Sequence, residues 1–137
     1  MIKLRIFFDG ASRGNPGPSA IGAVISKATG GTVCELSETI GKATNNFAEY
    51  TALIRALEEA KKLGAGAVEC FSDSELVVRQ MTGVYKIKSK TLLPLAQRVQ
   101  TLVREFENFS LKHVPRSENR HADKLASEAL KKSMRTK

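Results

Sequence analysis

The sequence predicts an α/β fold in which residues 1–137 form a single domain around a five-stranded mixed sheet flanked by helices. Three observations lead to this prediction. The first 40 residues carry strand-like apolar patterns separated by turn residues. The apolar spacing then changes to the helical period, and helices alternate with two further short strands. A length of 137 residues fits one domain.

The first 40 residues predict three antiparallel strands. Residues 2–9 begin with alternating apolar positions and end wholly apolar, as in a strand that becomes buried on both faces. The segment 9–19, DGASRGNPGPS, is dense in turn-forming residues and is predicted to be a loop. Residues 20–28 form the second strand, and Gly30-Gly31 turns the chain into a third strand over 32–40.

The rest of the chain alternates helices and strands. The predicted order is helix 47–63, strand 66–72, helix 74–82, helix 92–106, strand 109–114 and helix 122–130. Because helical crossovers join parallel strands, the last two strands are expected to lie parallel in the sheet. Residues 131–137, KKSMRTK, are expected to be a frayed basic tail.

The charge balance indicates a polyanionic partner. Lys and Arg number 22 and Asp and Glu number 14, which gives a net charge of +8 and a pI near 9.7. Nucleic acid is the first expectation and an anionic membrane surface the second, while the alternative is that the charge only aids solubility.

Cysteine usage and hydropathy indicate the compartment. Cys34 and Cys70 lie in predicted strands without metal-type spacing, so we interpret both as free thiols in a reducing cytoplasm. No apolar run approaches the roughly 20 residues that a membrane helix needs. We expect a cytoplasmic protein that acts as a monomer and does not enter a membrane.

Four carboxylates are candidates for one site. Asp9 and Asp73 follow predicted parallel strands, whose carboxyl ends meet at one edge of the sheet. Glu49 lies in the first turn of the helix after the third strand, and Asp123 lies in the first turns of the last helix, beside its apolar stripe. The four acids are expected to converge.

Clustered carboxylates repel one another, so their grouping requires a cation. Oxygen ligands without nearby Cys or His favour Mg²⁺ or Mn²⁺ over zinc. Two such ions about 3.5–4 Å apart can activate a water and stabilise the leaving oxygen of a phosphodiester. The acids and the basic charge together predict a metal-dependent nuclease.

Each acid also has a structural interpretation. Glu49 stands three residues after Asn46, which is the spacing of a capping box, and Asp73 could be an N-cap. Asp9-Gly10 could form a turn, and Asp123 could be an exposed charge on a helix. Taken singly, such roles are common. The sequences around the acids decide between the two interpretations.

Four segments, DGASRGNPGPSAIGAVI (9–25), TNNFAEYTAL (44–53), FSDSELVVRQMTG (71–83) and NRHADKLASEA (119–129), closely resemble the signature blocks of type 1 ribonuclease H, in that family's order. The resemblance implies a ribonuclease H-like fold. It also implies hydrolysis of the RNA strand of an RNA–DNA hybrid by two Mg²⁺ ions, leaving 3′-hydroxyl and 5′-phosphate ends, with Mn²⁺ as a substitute. The implied catalytic residues and metal ligands are Asp9, Glu49, Asp73 and Asp123, with Asp9 touching both ions.

The resemblance also implies contacts to the minor groove, where the 2′-hydroxyl is tested. The matching positions are Gly10, Ser12, Asn15, Asn45, Asn46 and Glu75. At the last of these many relatives carry Gln, so a negative charge here should weaken or reshape the contact. Loop amides are otherwise more often turn or cap residues.

Two residues are candidates for an auxiliary role. Many relatives carry a His several residues before the last acid, thought to help proton transfer or product release. Here Arg116 falls close to that position, while His121 stands only two residues before Asp123. The alternative for His121 is a polar surface residue at a helix start.

The basic helical protrusion of some relatives is not found in this sequence. Lys86, Lys88 and Lys90, beside Tyr85, form either a phosphate-holding patch or a solvated basic loop. The tail, with Lys131, Lys132 and Arg135 as its cations, is then expected to contribute more to hybrid binding.

Two alternative functions remain open. A nuclease of the same fold could also cut double-stranded RNA, which shares the A-like groove and the 2′-hydroxyls. A non-catalytic nucleic-acid binder would also be basic, but loss of an acid would have favoured it, and all four acids are present.

Overall fold

The structure is a computed structural model that describes residues 1–83 and 86–135, with side chains described through Ser133. Within these ranges the chain forms five strands, four α-helices and one short 3₁₀ helix. In chain order they are β1 (Ile2–Ser12), β2 (Gly17–Lys27), β3 (Thr32–Ala43), α1 (Asn45–Lys62), β4 (Ala65–Ser72), α2 (Glu75–Met81), α3 (Leu93–Val103), β5 (Asn108–His113), the 3₁₀ helix Arg116–Glu118 and α4 (Arg120–Arg135).

The sheet has the strand order β3-β2-β1-β4-β5, with β1 at its centre. β1 pairs antiparallel with β2, and β2 pairs antiparallel with β3. β4 lies parallel to β1, and β5 lies parallel to β4. The predicted α/β class and the mixed sheet of three antiparallel and two parallel strands are confirmed.

Helices cover both faces of the sheet. Successive strand residues point to opposite faces. Gly10 of β1 lies against Ala48 of α1, whereas Gly22 of β2, the strand partner of Asp9, lies against Ala122 of α4. α1, with α3 packed beside it, therefore covers one face and α4 covers the other.

The first two strands are longer than the sequence pattern predicts. β1 continues to Ser12 because its pairing with β2 extends as far as Ser12 with Ser19. β2 begins at Gly17 because its pairing with β3 starts there, at Gly17 with Ala43. The predicted loop 9–19 is therefore reduced to residues 13–16. As a result Asp9 lies inside a strand and not in a turn.

The last helix is also longer than predicted. α4 continues to Arg135, so the backbone of residues 131–135 is helical where the sequence suggested fraying. Buried alanines along the helix, such as Ala126 and Ala129, keep it packed on the sheet. Thr136 and Lys137, and Tyr85 of the basic segment, lie outside the described residues.

The core lies mainly between the sheet and α1. Its largest fully buried side chains include Tyr50, Phe8, Ile6, Ile21 and Leu53. The Tyr50 hydroxyl donates a hydrogen bond to Gln80 Oε1 at 2.7 Å, which ties α1 to α2 beside the edge of the sheet where Asp73 follows β4. Across residues 1–83 and 86–135, no helix has the length and apolar character needed to cross a membrane.

Candidate active site

Asp9 lies beside a point where α4 packs directly against the sheet, and its side chain is only 6% exposed. Its strand partner is Gly22. A Cβ on Gly22 would lie 2.2 Å from the Ala122 carbonyl oxygen and 2.5 Å from the Ala126 nitrogen, so only glycine allows α4 to pack here. The sequence signal for this close approach is a glycine inside a predicted strand, and our sequence reasoning did not use it.

Glu49 approaches Asp9 from α1. Its side chain is 7% exposed, and Oε1 accepts a hydrogen bond of 3.1 Å from the Gly10 N–H. Its other oxygen, Oε2, is buried and has no hydrogen-bond partner among the described residues. The helix is capped by Thr44, whose hydroxyl accepts from the Phe47 N–H at 3.2 Å. The capping-box interpretation of Glu49 is therefore wrong.

Asp73 follows the last residue of β4 and precedes the cap of α2. The N-cap is Ser74, whose hydroxyl accepts from the Val77 N–H at 3.3 Å. The N-cap interpretation of Asp73 is therefore also wrong. One carboxylate oxygen each from Asp9, Glu49 and Asp73 lie within 4.8 Å of one another.

Asp123 lies in the first turn of α4 and is partly buried. It borders the same pocket as the other three acids, a polar cleft of about 530 Å³. The structure thus brings together carboxylates from β1, α1, the β4–α2 junction and α4.

The pKa values of the buried acids are raised. Burial raises the pKa of Asp9 to about 7; the neighbouring Glu49 lowers it, while Asp123 and Asp73 raise it further. Burial and the negative charge of Asp9 hold the pKa of Glu49 well above its usual range. A divalent cation would relieve this repulsion and give the orphaned Glu49 Oε2 a partner. The donor set, oxygens without Cys or His in the lining, fits Mg²⁺ or Mn²⁺.

Four of the residues expected to contact substrate line the pocket: Gly10, Ser12, Asn45 and Asn46. Asn15 instead accepts a hydrogen bond from the Asn45 N–H at 3.1 Å and holds the β1–β2 turn against the start of α1. The Ser12 hydroxyl donates to the carbonyl oxygens of Gly14 and, at 3.0 Å, Ala43. Ser12 and Asn15 therefore also shape the rim of the pocket.

The two auxiliary candidates are separated in the structure. Arg116, in the 3₁₀ helix, is exposed and lines the acidic pocket. His121 Nε2 lies 2.5 Å from Glu35 Oε2 on β3, and His121 borders a different groove. Glu75, in the first turn of α2, forms an exposed ion pair of 2.7 Å with Arg79.

Sequence reasoning does not single out Asn119, which the structure buries beside the acids. Its side chain is 1% exposed, and Nδ2 donates to the Phe8 carbonyl oxygen at 2.9 Å. The only sequence signal is a polar residue just before a predicted helix, which more often indicates a cap.

Comparison with known proteins identifies the family. Residues 7–129 match the family model described as reverse transcriptase-like. Ribonuclease HI of Halobacterium salinarum is 48% identical over 128 residues, which is 93% of this chain and 64% of that protein. The crystal structure of RNase H1 from the same archaeon aligns with a TM-score of 0.93 at 47% identity, covering 95% of this chain and 98% of that one. The structure of LC11-RNase H1 in complex with an RNA/DNA hybrid aligns with a TM-score of 0.91 at 45% identity. The alignment covers 96% of this chain and 99% of that one.

The mixed sheet, with carboxylates gathered around Asp9 of its central strand, defines a ribonuclease H-like domain. The chain belongs to the type 1 ribonuclease H family. It spans 64% of the length of the curated Halobacterium relative and 36% of the length of the curated Mycobacterium tuberculosis relatives.

Proposed function

We propose that this chain is an endoribonuclease that hydrolyses the RNA strand of RNA–DNA hybrids with two divalent ions, leaving 3′-hydroxyl and 5′-phosphate ends. The observation that carries the proposal is the convergence of four carboxylates from separate elements in one open pocket. The hybrid-bound structure of the similar LC11-RNase H1 supports the choice of substrate.

Asp9, Glu49, Asp73 and Asp123 would hold the ions, Mg²⁺ or Mn²⁺ as its substitute. When bound, the ions supply an activated water and stabilise the leaving oxygen of the phosphodiester. Asp9 is the acid whose pKa all three of the others affect. The resemblance to the family implies that Asp9 would contact both ions.

Substrate selection would depend on groups at the pocket rim. Gly10, Ser12, Asn45 and Asn46 offer backbone and side-chain hydrogen-bonding groups beside the acids, where a 2′-hydroxyl can be tested. The planar guanidinium of Arg116 offers N–H donors that match the oxygens of a phosphate, so Arg116 would hold a phosphate at the pocket. The position of His121, paired with Glu35, does not favour a catalytic role.

The proposed compartment is the reducing cytoplasm, where the chain would act as a monomer. Cys34 and Cys70 are both free. Burial raises the pKa of each thiol, which keeps the reactive thiolate scarce.

Cleavage of a labelled RNA–DNA hybrid tests the proposal. The wild-type protein with Mg²⁺, the same protein with EDTA and Asp9→Asn with Mg²⁺ should be compared, with circular dichroism to verify that the variant is folded. We expect cleavage only in the first reaction. A folded Asp9→Asn variant that cuts as fast as wild type would contradict the metal assignment.

Duplex RNA and duplex DNA run beside the hybrid separate the alternatives. Cleavage of the hybrid alone supports hybrid specificity, and equal cleavage of duplex RNA supports the broader nuclease. Tight binding of hybrid without any cleavage would indicate a non-catalytic binder.

A further inference from the structure

Asn119 is a buried polar residue at the junction between the 3₁₀ helix and α4. Its side chain is 1% exposed and is among the largest fully buried side chains of the protein. Burying an amide without hydrogen bonds is unfavourable, so a buried Asn at this position needs hydrogen-bond partners. Its partners lie beside the acids of the pocket.

The Asn119 amide nitrogen faces two acceptors. Nδ2 lies 2.9 Å from the Phe8 carbonyl oxygen and 3.4 Å from Asp73 Oδ1. Because a carbonyl and a carboxylate only accept hydrogen bonds, the NH₂ group and not the oxygen of the amide must face them. The β1–β4 ladder ends at Phe7 with Phe71, so the Phe8 carbonyl lies just beyond it and gains a donor from Asn119.

The Asn119 backbone makes a third connection. Its carbonyl oxygen accepts a hydrogen bond of 3.1 Å from the Asp123 N–H, in the first turn of α4. Asn119 is thus joined to the residue before Asp9, to the Asp73 carboxylate and to the Asp123 backbone. These three acids come from β1, the β4–α2 junction and α4.

We propose that Asn119 is a positioning residue that fixes the Asp73 carboxylate relative to Asp9 and Asp123 and so sets the affinity of the site for divalent cations. This inference rests on the metal-dependent function proposed above. A short amide suits the role, because it donates to both acceptors and adds no charge. An alanine would leave the Phe8 carbonyl without its donor, and a carboxylate would repel Asp73.

The test measures Mn²⁺ binding without substrate, by electron paramagnetic resonance of the free ion. Asn119→Ala removes the hydrogen-bond donor. Asn119→Ser keeps a polar side chain that is too short to reach both acceptors, and it replaces the alanine variant in the test if that variant does not fold. The matched control is Val68→Ala, a buried core residue on β4, the strand that leads to Asp73. The melting temperature of each variant is measured in EDTA and in Mn²⁺.

We expect the Asn119 variants to bind Mn²⁺ about tenfold more weakly than wild type, as is typical when a group that orients a metal ligand is removed. The Mn²⁺ concentration needed for half-maximal cleavage should rise by a similar factor, with KM for the hybrid little changed. Val68→Ala should lose melting temperature but bind Mn²⁺ as wild type does.

Wild-type Mn²⁺ affinity in a folded Asn119 variant, with only a loss of melting temperature like that of Val68→Ala, would overturn the positioning role and leave the proposed function intact. Asp9→Asn is measured in the same way. If this variant binds Mn²⁺ as tightly as wild type does, both proposals would be overturned.

Discussion

Asp9 is a buried acid surrounded by other acids, and in the absence of a cation this arrangement opposes folding. Its pKa is about 7 in the folded protein, against an ordinary value of 3.8. A carboxyl group with a raised pKa binds more protons in the folded state than in the unfolded state. Between about pH 4 and 7, therefore, stability of the ion-free protein should fall as pH rises.

Asp9→Asn should remove this penalty. In EDTA we expect the variant to melt above wild type at pH 7.5, by about 1–3 kcal/mol in the free energy of unfolding, and the difference should shrink toward pH 4. Thermal unfolding across this pH range measures it. Saturating Mg²⁺ should raise the wild-type melting temperature more than that of the variant. A stability difference between wild type and Asp9→Asn that does not vary with pH would show that the pKa of Asp9 is not raised in the folded protein.

Glu75 tests how a single charge affects substrate binding. It lies in the first turn of α2, two residues after Asp73, and is exposed with Arg79 as its partner. Glu75→Gln removes a negative charge near the expected path of the hybrid, so we expect KM to fall several-fold with little change in kcat. Stability should change by less than about 0.5 kcal/mol, because exposed ion pairs contribute little. An unchanged KM would place Glu75 outside the binding surface.

The residues of the site also show what could be predicted from the sequence and what could not. The four acids were recognisable because each lies in a specific motif, but their structural alternatives could be rejected only from coordinates. Thr44 caps the helix for which the sequence offered a capping box of Asn46 with Glu49, and Ser74 caps the helix for which it offered Asp73. A neighbouring Ser or Thr can take the same role, so a pattern cannot assign the cap to one residue.

At the scale of elements, the basic segment between α2 and α3 is a candidate surface for binding the phosphates of a nucleic acid. Lys86, Lys88 and Lys90 are exposed, while Ile87 between them packs against the core. The Ser89 hydroxyl accepts from the Leu92 N–H at 3.2 Å and so anchors the segment to the start of α3. The three lysines therefore lie on a segment that is anchored to α3.

Replacing Lys86, Lys88 and Lys90 together with Gln should raise KM about tenfold and flatten its salt dependence by about one unit of slope for each lysine that contacts a phosphate. The control replaces Lys61 and Lys62 with Gln, two charges instead of three, since their end of α1 lies about 18 Å along the helix from Glu49. Equal effects per lysine in the two sets would indicate non-specific attraction, and no effect of the first set would indicate a solvated loop.

The end of α4 offers a second basic surface. Lys131 and Lys132 are exposed on a helix and not on a frayed tail. Because they are held on a helix, Lys131→Gln with Lys132→Gln should raise KM and lower the salt slope without unfolding α4. Deletion of residues 131–137 should have at least the same effect. A salt slope that matches wild type in both proteins would remove this end of α4 from the binding surface.

Element boundaries were the weaker part of the sequence prediction. The order of strands and helices followed from the change of apolar period, but β1 extends through Gly10 and Ala11 to Ser12 because its partner strand continues beside it. Pairing of this kind depends on the neighbouring strand and not on the residues of the strand itself. The role of Gly22 is similar, since its contact with α4 joins segments 100 residues apart in the chain.

At the scale of the whole molecule, the fold supplies the convergence that the chemistry needs. Parallel pairing of β1 with β4 brings Asp9 and Asp73 to the same end of the sheet, while α1 and α4 approach Asp9 from opposite faces. The net charge of +8 lies on a chain that gathers four of its 14 acids in one pocket, which favours binding of a polyanion around a cation site.

The central claim is that these four carboxylates share divalent ions. The most direct measurement is anomalous diffraction from crystals soaked in Mn²⁺ with a bound hybrid whose RNA strand carries a non-hydrolysable linkage. We expect two peaks about 4 Å apart in the pocket, both in contact with Asp9 and flanked by Glu49, Asp73 and Asp123. Peaks that all lie outside this pocket, or a bound ion that Asp9 does not touch, would contradict the claim.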